Sequence, residues 1–472
     1  MRILLVSSPR TVIGFDRATK LPNLGLNSIA GNISGDDVDI RILDLVLAGN
    51  EPSRFLSDYL KFYNPDIVGF SCMTFQYDDT MRLAALVRAH NRHTRIILGG
   101  YHPTIDFENM FDGGYVRNID FIIRNEGESA FNLLIEQIQS GKNYRDIPSL
   151  SYIEKNAVIH NPRGGNLDLD LLKFPDRENR VLKKGFHILG NPADVIETSR
   201  GCVNRCGFCS IRQMYGTTFR KYKISRVIED IRDARNRGAQ AILIVDDNVT
   251  VDSVRFEDLC REIILNKLND VKYAVQASIH GFKRAPGLPK LMSQAGVNIC
   301  FLGIENTSER NIDFLNTKKL QHPEARDLVA ELQGYGITVI GSFIIGNSED
   351  TRETIYDNFH YANDIDVDIP LFLILTPFPK TEIRQELLKH GLITNKCDYS
   401  RYDLFHANVK THHLSSRDLE KIRDEIAFKI LNKNRRLWKL AGKYPKFSIK
   451  LFFDQLVNQP REVFGHIRGV FR

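Results

Sequence analysis

The chain is predicted to be an α/β protein with an N-terminal doubly wound parallel sheet, then a partial (β/α)6 barrel, then a mainly helical C-terminal region. Three observations predict this. Short apolar runs alternate with amphipathic stretches through residues 1–140, the same alternation resumes near Pro192 and repeats six times, and beyond residue 385 it stops. Such alternation, with near-continuous apolar strands, marks parallel sheets covered on both faces. The expected domains are 1–140, a linker with a small hairpin over 141–191, the barrel over 192–385, and a basic C-terminal region over 386–472.

In the first domain, strands are expected at 2–6, 38–43, 67–71, 95–98 and 121–124, with amphipathic helices such as 52–62 and 78–89 between them. Doubly wound sheets bind ligands beyond the carboxyl ends of their strands. Asp44, Ser71-Cys72-Met73, Gly99-Gly100 and Glu126-Gly127-Glu128 all fall there. His102, in a loop, is expected to be a polar contact. Strands at 149–153 and 157–160 form the linker hairpin, and Pro162, Gly164-Gly165 and Pro175-Asp176-Arg177 mark an extended connection.

The barrel strands are expected at 193–196, 241–245, 273–277, 298–303, 337–345 and 371–375. Its first helix, over 225–237, has Ser225 as N-cap and Val227, Ile228, Ile231 and Ala234 near one face. Barrel chemistry sits at the C-terminal strand ends. Directly after the first strand comes the run Glu197-Thr198-Ser199-Arg200-Gly201-Cys202-Val203-Asn204-Arg205-Cys206-Gly207-Phe208-Cys209. Thiolates at i, i+4 and i+7 on one tight loop can hold three irons of a cubane iron–sulfur cluster, leaving the fourth open. Closed electron-transfer clusters and structural zinc sites want four ligands, and no fourth cysteine lies nearby. A chance trio, or a zinc site short of one ligand, is the alternative on spacing alone. Of the other cysteines, Cys260, Cys300 and Cys397 are expected to be buried or incidental.

The Cys-x3-Cys-x2-Cys loop at the end of a first barrel strand, with Phe208 before the third cysteine, resembles the radical S-adenosylmethionine (SAM) enzymes. The resemblance implies a 4Fe–4S cluster on Cys202, Cys206 and Cys209 whose open iron chelates SAM. One electron then cleaves SAM to methionine and a 5′-deoxyadenosyl radical. It also implies SAM contacts at Phe208, at Asp246 or Asp247 for the methionyl ammonium, at Ser278, at Glu305 for the ribose hydroxyls, and at Ile344 in the glycine segment near the adenine.

The first domain resembles the cobalamin-binding domain attached to many radical SAM enzymes. Domains of that type carry Asp-x-His-x-x-Gly, Ser-x-Leu and Gly-Gly; the corresponding residues here are Asp44 to Gly49, Ser71-Cys72-Met73 and Gly99-Gly100. Val46 stands where a histidine would ligate cobalt from below, so that position offers no lower ligand. The implied cobalamin contacts are Asp44, Val46, Gly49, Ser71, Met73, Gly99, Gly100 and Glu126. A vestigial scaffold that no longer binds the cofactor is the alternative.

Composition agrees with a soluble cytoplasmic enzyme: 42% hydrophobic and 26% charged residues, no apolar run of membrane-span length, and seven cysteines without a disulfide pattern. The net charge of +6 is uneven, because residues 433–472 carry a surplus of eight positive charges and leave the rest slightly acidic. Trp438, Phe447, Ile449, Leu451, Phe452 and Phe453 are interleaved there with lysines. That pattern suits a peripheral membrane contact or an oligonucleotide surface, or a C-terminal helix pair docked on the protein with a solvated basic face. Before it, a helix starting at Ser415 carries Leu419, Ile422, Ile426 and Ile430 on one face and is expected to pack on the barrel.

The reading that follows from the resemblance is a cobalamin-dependent radical SAM methyltransferase acting on an unactivated carbon. It would take a small-molecule or lipid substrate and electrons from a flavodoxin- or ferredoxin-type donor, with nucleic acid not expected. A cobalamin-dependent oxidative cyclase or ring-rearranging enzyme is the alternative within the class. A non-enzymatic cobalamin or redox sensor is the alternative outside it.

Overall fold

The computed structural model describes residues 1–10, 18–35, 37–111, 118–141, 143–317, 322–431 and 440–445. The basic aromatic stretch from Trp438 onward, apart from residues 440–445, lies outside the described residues.

β1 (Arg2–Ser7), β2 (Asp39–Asp44), β3 (Ile67–Ser71), β4 (Arg95–Gly99) and β5 (Phe121–Ile123) form a parallel sheet in the order β2-β1-β3-β4-β5. The apolar run of β1 explains its central place: Ile3, Leu4, Leu5 and Val6 are fully buried, with Leu4 and Val6 in one core cluster and Ile3 and Leu5 in another. Helices Pro52–Tyr63 and Tyr77–His90 cover the first face; Leu24–Asn32 and Glu128–Ser140 cover the second. The strand order reverses at β1, which places the ligand crevice beyond the carboxyl ends of β1 and β3.

The hairpin β6 (Leu150–Glu154) and β7 (Ala157–His160) does not belong to a linker. β6 pairs antiparallel with β5, so the hairpin completes a seven-stranded sheet and the first domain runs to His160. Leu150 and Tyr152 supply the reason, since both join the core on the second face.

The second sheet runs β8 (Asn191–Ile196), β9 (Ala241–Ile244), β10 (Lys272–Ser278), β11 (Val297–Glu305), β12 (Thr338–Ile345) and β13 (Ile369–Ile374), each parallel to the next. Among the described residues β8 and β13 do not pair, so the barrel is open. Helix Ile224–Asn236 packs Val227, Ile228, Ile231 and Ala234 into its core as expected, but Lys223 holds the cap position and Ser225 lies inside the first turn. Helix Ser416–Leu431 buries Leu419, Ile422 and Ile426 against the barrel, with Ile430 partly buried beside them. Ser415 precedes that helix and exchanges hydrogen bonds with Asp418.

The two sheets are tied in two places. The short strand Thr19–Lys20 leaves the first domain and pairs antiparallel with His187–Ile188, which itself pairs with the start of β8. The connection near residue 180 is not loose either. Arg177 is fully buried and bonds Asp194 (3.1 Å) and Asp230 (2.6 Å) of the barrel. Arg180 grips Asp194 with both terminal nitrogens (2.8 and 2.9 Å) and reaches Asn27 of the first domain through Nε (2.8 Å).

Candidate active site

Beyond β8 the chain turns into a two-residue strand, Ser199–Arg200, paired antiparallel with Arg220–Lys221. Asp246, just past the end of β9, holds this turn by accepting from the Thr198 backbone N–H (2.6 Å), the Thr198 hydroxyl (2.6 Å) and the Ser199 hydroxyl. Gly201 follows with φ +87°, where a Cβ would lie 2.4 Å from the Thr218 carbonyl oxygen, so this position needs glycine. The far side of the cysteine loop is pinned as well. Gly207 N–H donates to Leu315 O (2.9 Å), Gly207 O accepts from Ile383 N–H (3.1 Å), and Asn316 Nδ2 donates to Arg205 O (2.7 Å).

Cys202, Cys206 and Cys209 all line one cavity of about 400 Å³ at the carboxyl ends of the barrel strands. Burial first, with the other two thiols and Asp247 adding to it, pushes the Cys209 thiol up to about 12; only a bound cation would hold three thiolates together there. Among the described residues no three His, Cys, Asp or Glu side chains converge on a single ion. Three soft donors without a fourth leave one iron free for a ligand.

The same cavity receives Phe208, Asp247, Ser278, Glu305 and Ile344. Ser278 is fixed at the end of β10 by Thr250, whose hydroxyl accepts from Ser278 N–H (2.9 Å) and donates to Ser278 O (3.1 Å). Glu305 is aimed by a register shift in β11 between Gly303 and Glu305 and takes φ +69°. A non-glycine residue in that region is held there by its surroundings, a common feature of ligand sites. Burial alone pushes the Glu305 carboxyl up to about 7, and burial followed by the neighbouring Asp246 charge does the same for Asp247.

Of the two carboxylates expected as alternatives for the ammonium, Asp246 has its oxygens taken by Thr198 and Ser199 and does not line the cavity. Asp247 faces the cavity, and its recorded hydrogen bond is from the Gly201 N–H (3.2 Å).

A second cavity, of about 310 Å³, opens beyond the carboxyl ends of β1, β3, β4 and β5, at the predicted crevice. Ser71, Met73, Gly99, Gly100 and Glu126 line it, as expected. Gly100 has φ +102°, and a Cβ there would stand 2.9 Å from the backbone of Cys72. The cavity runs into the sheet between Leu5, Gly69, Ile97 and Phe131, an apolar slot suited to the flat aromatic tail of a cobalamin.

Asp44, Val46 and Gly49 do not line this cavity. Gly49 is an exposed turn residue at φ +68° with nothing within 4 Å of a built Cβ. Asp44 acts from beneath: it accepts from Ser7 Oγ (2.9 Å) and from Asn23 N–H (3.0 Å), fixing the start of the helix that does line the cavity. His102 is not a loop contact. It is fully buried in helix Tyr101–Met110, its ring 4.6 Å from that of Tyr77 and 4.5 Å from that of Tyr399, and burial lowers it to about 3.

The two cavities meet at Asp247, which lines both. Around this junction stand residues that the sequence did not single out. Arg200 bonds Glu126 (2.8 Å), Glu128 (2.7 Å) and Glu197 (2.6 Å). Tyr101 and Tyr215 line the first-domain cavity, and Leu404 lines the barrel cavity while its carbonyl accepts from Ile374 N–H (2.8 Å). Two of the Arg200 partners, Glu126 and Glu128, lie more than seventy residues away in the chain; the only signal was acidic residues at a strand end and a basic residue beside the cysteine loop.

An open six-stranded barrel with three thiols at its mouth, fed by a doubly wound domain with its own cavity, defines an enzyme that holds an open iron–sulfur cluster beside a second cofactor. The comparisons agree. Residues 196–362 match the radical SAM superfamily and residues 10–135 match the B12 binding domain. The chain belongs to the radical SAM superfamily, in the group that carries a B12 binding domain. It is similar to an uncharacterized methyltransferase of Pyrococcus horikoshii, 28% identical over 89% of this chain and 90% of that one. It is also similar to the anaerobic magnesium-protoporphyrin IX monomethyl ester cyclase of Synechocystis, 25% identical over 88% and 82%. The fold matches that of the radical SAM methyltransferase TsrM from Kitasatospora setae, solved with cobalamin and a 4Fe–4S cluster, at TM-score 0.71 and 17% identity over 84% of this chain and 79% of that one.

Proposed function

We propose that this chain is a cobalamin-dependent radical SAM methyltransferase acting on an unactivated carbon of a small molecule. The observation that carries the reading is the shared wall at Asp247, because a hydrogen removed on one side must be replaced by a group delivered from the other. When bound, the cluster and SAM supply one-electron cleavage of SAM, and cobalamin supplies the methyl group.

The chain's own part is to hold and orient. Cys202, Cys206 and Cys209 would hold three irons, and Asp246 fixes the turn that presents them. Asp247 offers a carboxylate to an ammonium, and Glu305 offers one to ribose hydroxyls. Phe208 and Ile344 give apolar surface, and Ser278 adds a hydroxyl fixed by Thr250. In the first domain, Ser71, Gly99 and Gly100 let a large planar group approach the backbone.

The likeness to the cyclase from Synechocystis favours a second reading, oxidative ring closure without methyl transfer. The two are separated by turning over the reconstituted enzyme with trideuteromethyl SAM and an extract of candidate substrates. The methyltransferase reading expects a product carrying the trideuteromethyl group. Stoichiometric 5′-deoxyadenosine with an unlabelled, oxidised product would instead establish the cyclase.

A peripheral membrane contact and a lipid substrate are finer readings, supported by the surplus of eight positive charges with aromatics in residues 433–472. No helix among the described residues is long and apolar enough to cross a membrane.

A further inference from the structure

We propose that Arg200 is a positioning residue that couples filling of the first-domain cavity to the setting of the cysteine loop, so that cobalamin and the iron–sulfur cluster bind with positive, reciprocal cooperativity. The inference rests on the reading of the two cavities given above.

Arg200 is the second residue before Cys202 and is buried. Every face of its guanidinium is engaged. Nη1 donates to Glu126 Oε1 (2.8 Å), Nη2 to Glu128 Oε1 (2.7 Å) and to Glu197 Oε1 (2.6 Å), and Nε to Glu197 Oε2 (3.0 Å). Two of those carboxylates belong to the first domain and one to the turn that carries the cysteines. Glu128 is also tied to the helix at the cavity edge, by accepting from Ser28 Oγ (2.7 Å).

Glu126, Glu128, Glu197 and Arg200 together form wall of the first-domain cavity. A ligand seated there shares a wall with the groups that set the angle of Arg200. Little slack separates Arg200 from Cys202: Gly201 is the one residue between, held by its N–H on Asp247 and wedged against the Thr218 carbonyl. A ligand shifts an equilibrium only through contacts that differ between its states, and such coupling is reciprocal. The planar, forked guanidinium holds three carboxylates in one geometry, which an ammonium cannot do.

The test is an anaerobic absorbance titration of the full chain with hydroxocobalamin, with and without the reconstituted cluster. The wild-type protein is expected to bind roughly tenfold more tightly when the cluster is present, within the usual range of coupling. Arg200→Lys keeps the charge and loses the fork, so the ratio should fall toward one while both sites still load. Glu128→Gln removes one carboxylate charge and should lower the ratio as well, which keeps the test open if Arg200→Lys fails to fold. Tyr399→Phe is the control: it removes an interdomain hydrogen bond to Asp106 (2.8 Å) between two residues that line neither cavity and should leave the ratio unchanged.

A wild-type ratio of one with both sites loaded would overturn the coupling. So would a wild-type ratio in folded Arg200→Lys or Glu128→Gln, or an equal collapse in Tyr399→Phe, which would mark Arg200 as domain glue only. A chain that takes up four irons but no hydroxocobalamin would overturn the cobalamin reading itself, and the coupling with it. That result is distinct because no ratio can then be formed.

Discussion

In the barrel cavity Glu305 has no ion-pair partner among the described residues, and Asp247 has one recorded backbone hydrogen bond, whereas in the wall of the first-domain cavity Glu126, Glu128 and Glu197 are all held by Arg200. Both walls are acidic and both are largely buried, yet the chemistry diverges. Without a cation, burial drives Glu305 toward the neutral form. Beside Arg200, burial opposes the charge of Glu128, but Arg200 and then Ser28 overcome it and hold the carboxyl below its usual range. A buried acid with no cation awaits a ligand with donors of its own, and a buried acid already paired serves the architecture.

That contrast breaks most completely at the mouth of the barrel. Replacing Cys202, Cys206 or Cys209 with Ala should abolish the visible cluster absorption and reductive SAM cleavage entirely, read by anaerobic reconstitution and 5′-deoxyadenosine assay. Retained SAM cleavage would remove the barrel cavity from the comparison.

Next in size is Glu128→Ala, which leaves Arg200 buried with one partner fewer. Breaking such a pair typically costs about 3–5 kcal/mol, and urea unfolding of the full chain should show a loss of that order. A loss below about 1 kcal/mol, the level of a surface pair, would mean that Arg200 is effectively solvated.

Glu305→Gln should act in the opposite direction. The folded pKa of Glu305 is raised from 4.5 to about 7, so its contribution to stability is complete below pH 4.5, falls as pH rises through 7, and is then constant. At pH 8 the deficit is about 3 kcal/mol. The cofactor-free Gln variant should therefore be more stable than wild type at pH 8 and close to it at pH 4.5. Asp247 is also raised to about 7, so part of the slope should survive. The same variant should bind SAM less well. A loss of stability at pH 8 would mean that the carboxylate already has a partner.

The smallest expected effect lies in the tail. Each basic residue near an anionic bilayer contributes about 1 kcal/mol. The full chain should co-sediment with anionic vesicles at low salt, and a chain stopped after Asn432 should not. Equal sedimentation would confine the function to the two cavities.

The sequence disclosed the barrel site more fully than the first domain, and the reason is physical. Cysteine spacing, strand ends and a glutamate at the end of β11 are local features, and all of these residues reach the cavity. The choice between Asp246 and Asp247 needed the turn at Thr198, which no spacing announces. In the first domain, Ser71 and Gly99-Gly100 were readable as strand ends, but Asp44 works through Asn23. The hairpin at residues 150–160 looked like a linker because its membership in the sheet depends on pairing with β5. Arg177, Arg180 and Arg200 were silent for the same reason: their partners are assembled by the fold.

The two-residue strand Thr19–Lys20 has a consequence for how this chain could ever be divided. It belongs by sequence to the first domain, yet it closes the margin of the second sheet, outside His187–Ile188, which pairs with β8. A barrel expressed from residue 192 would lose that cover and leave Asp194 without Arg177 and Arg180. It would therefore present bare backbone and a stranded charge. The apparent boundary near residue 192 is therefore not a place where this chain can be cut without baring a strand edge and a buried carboxylate.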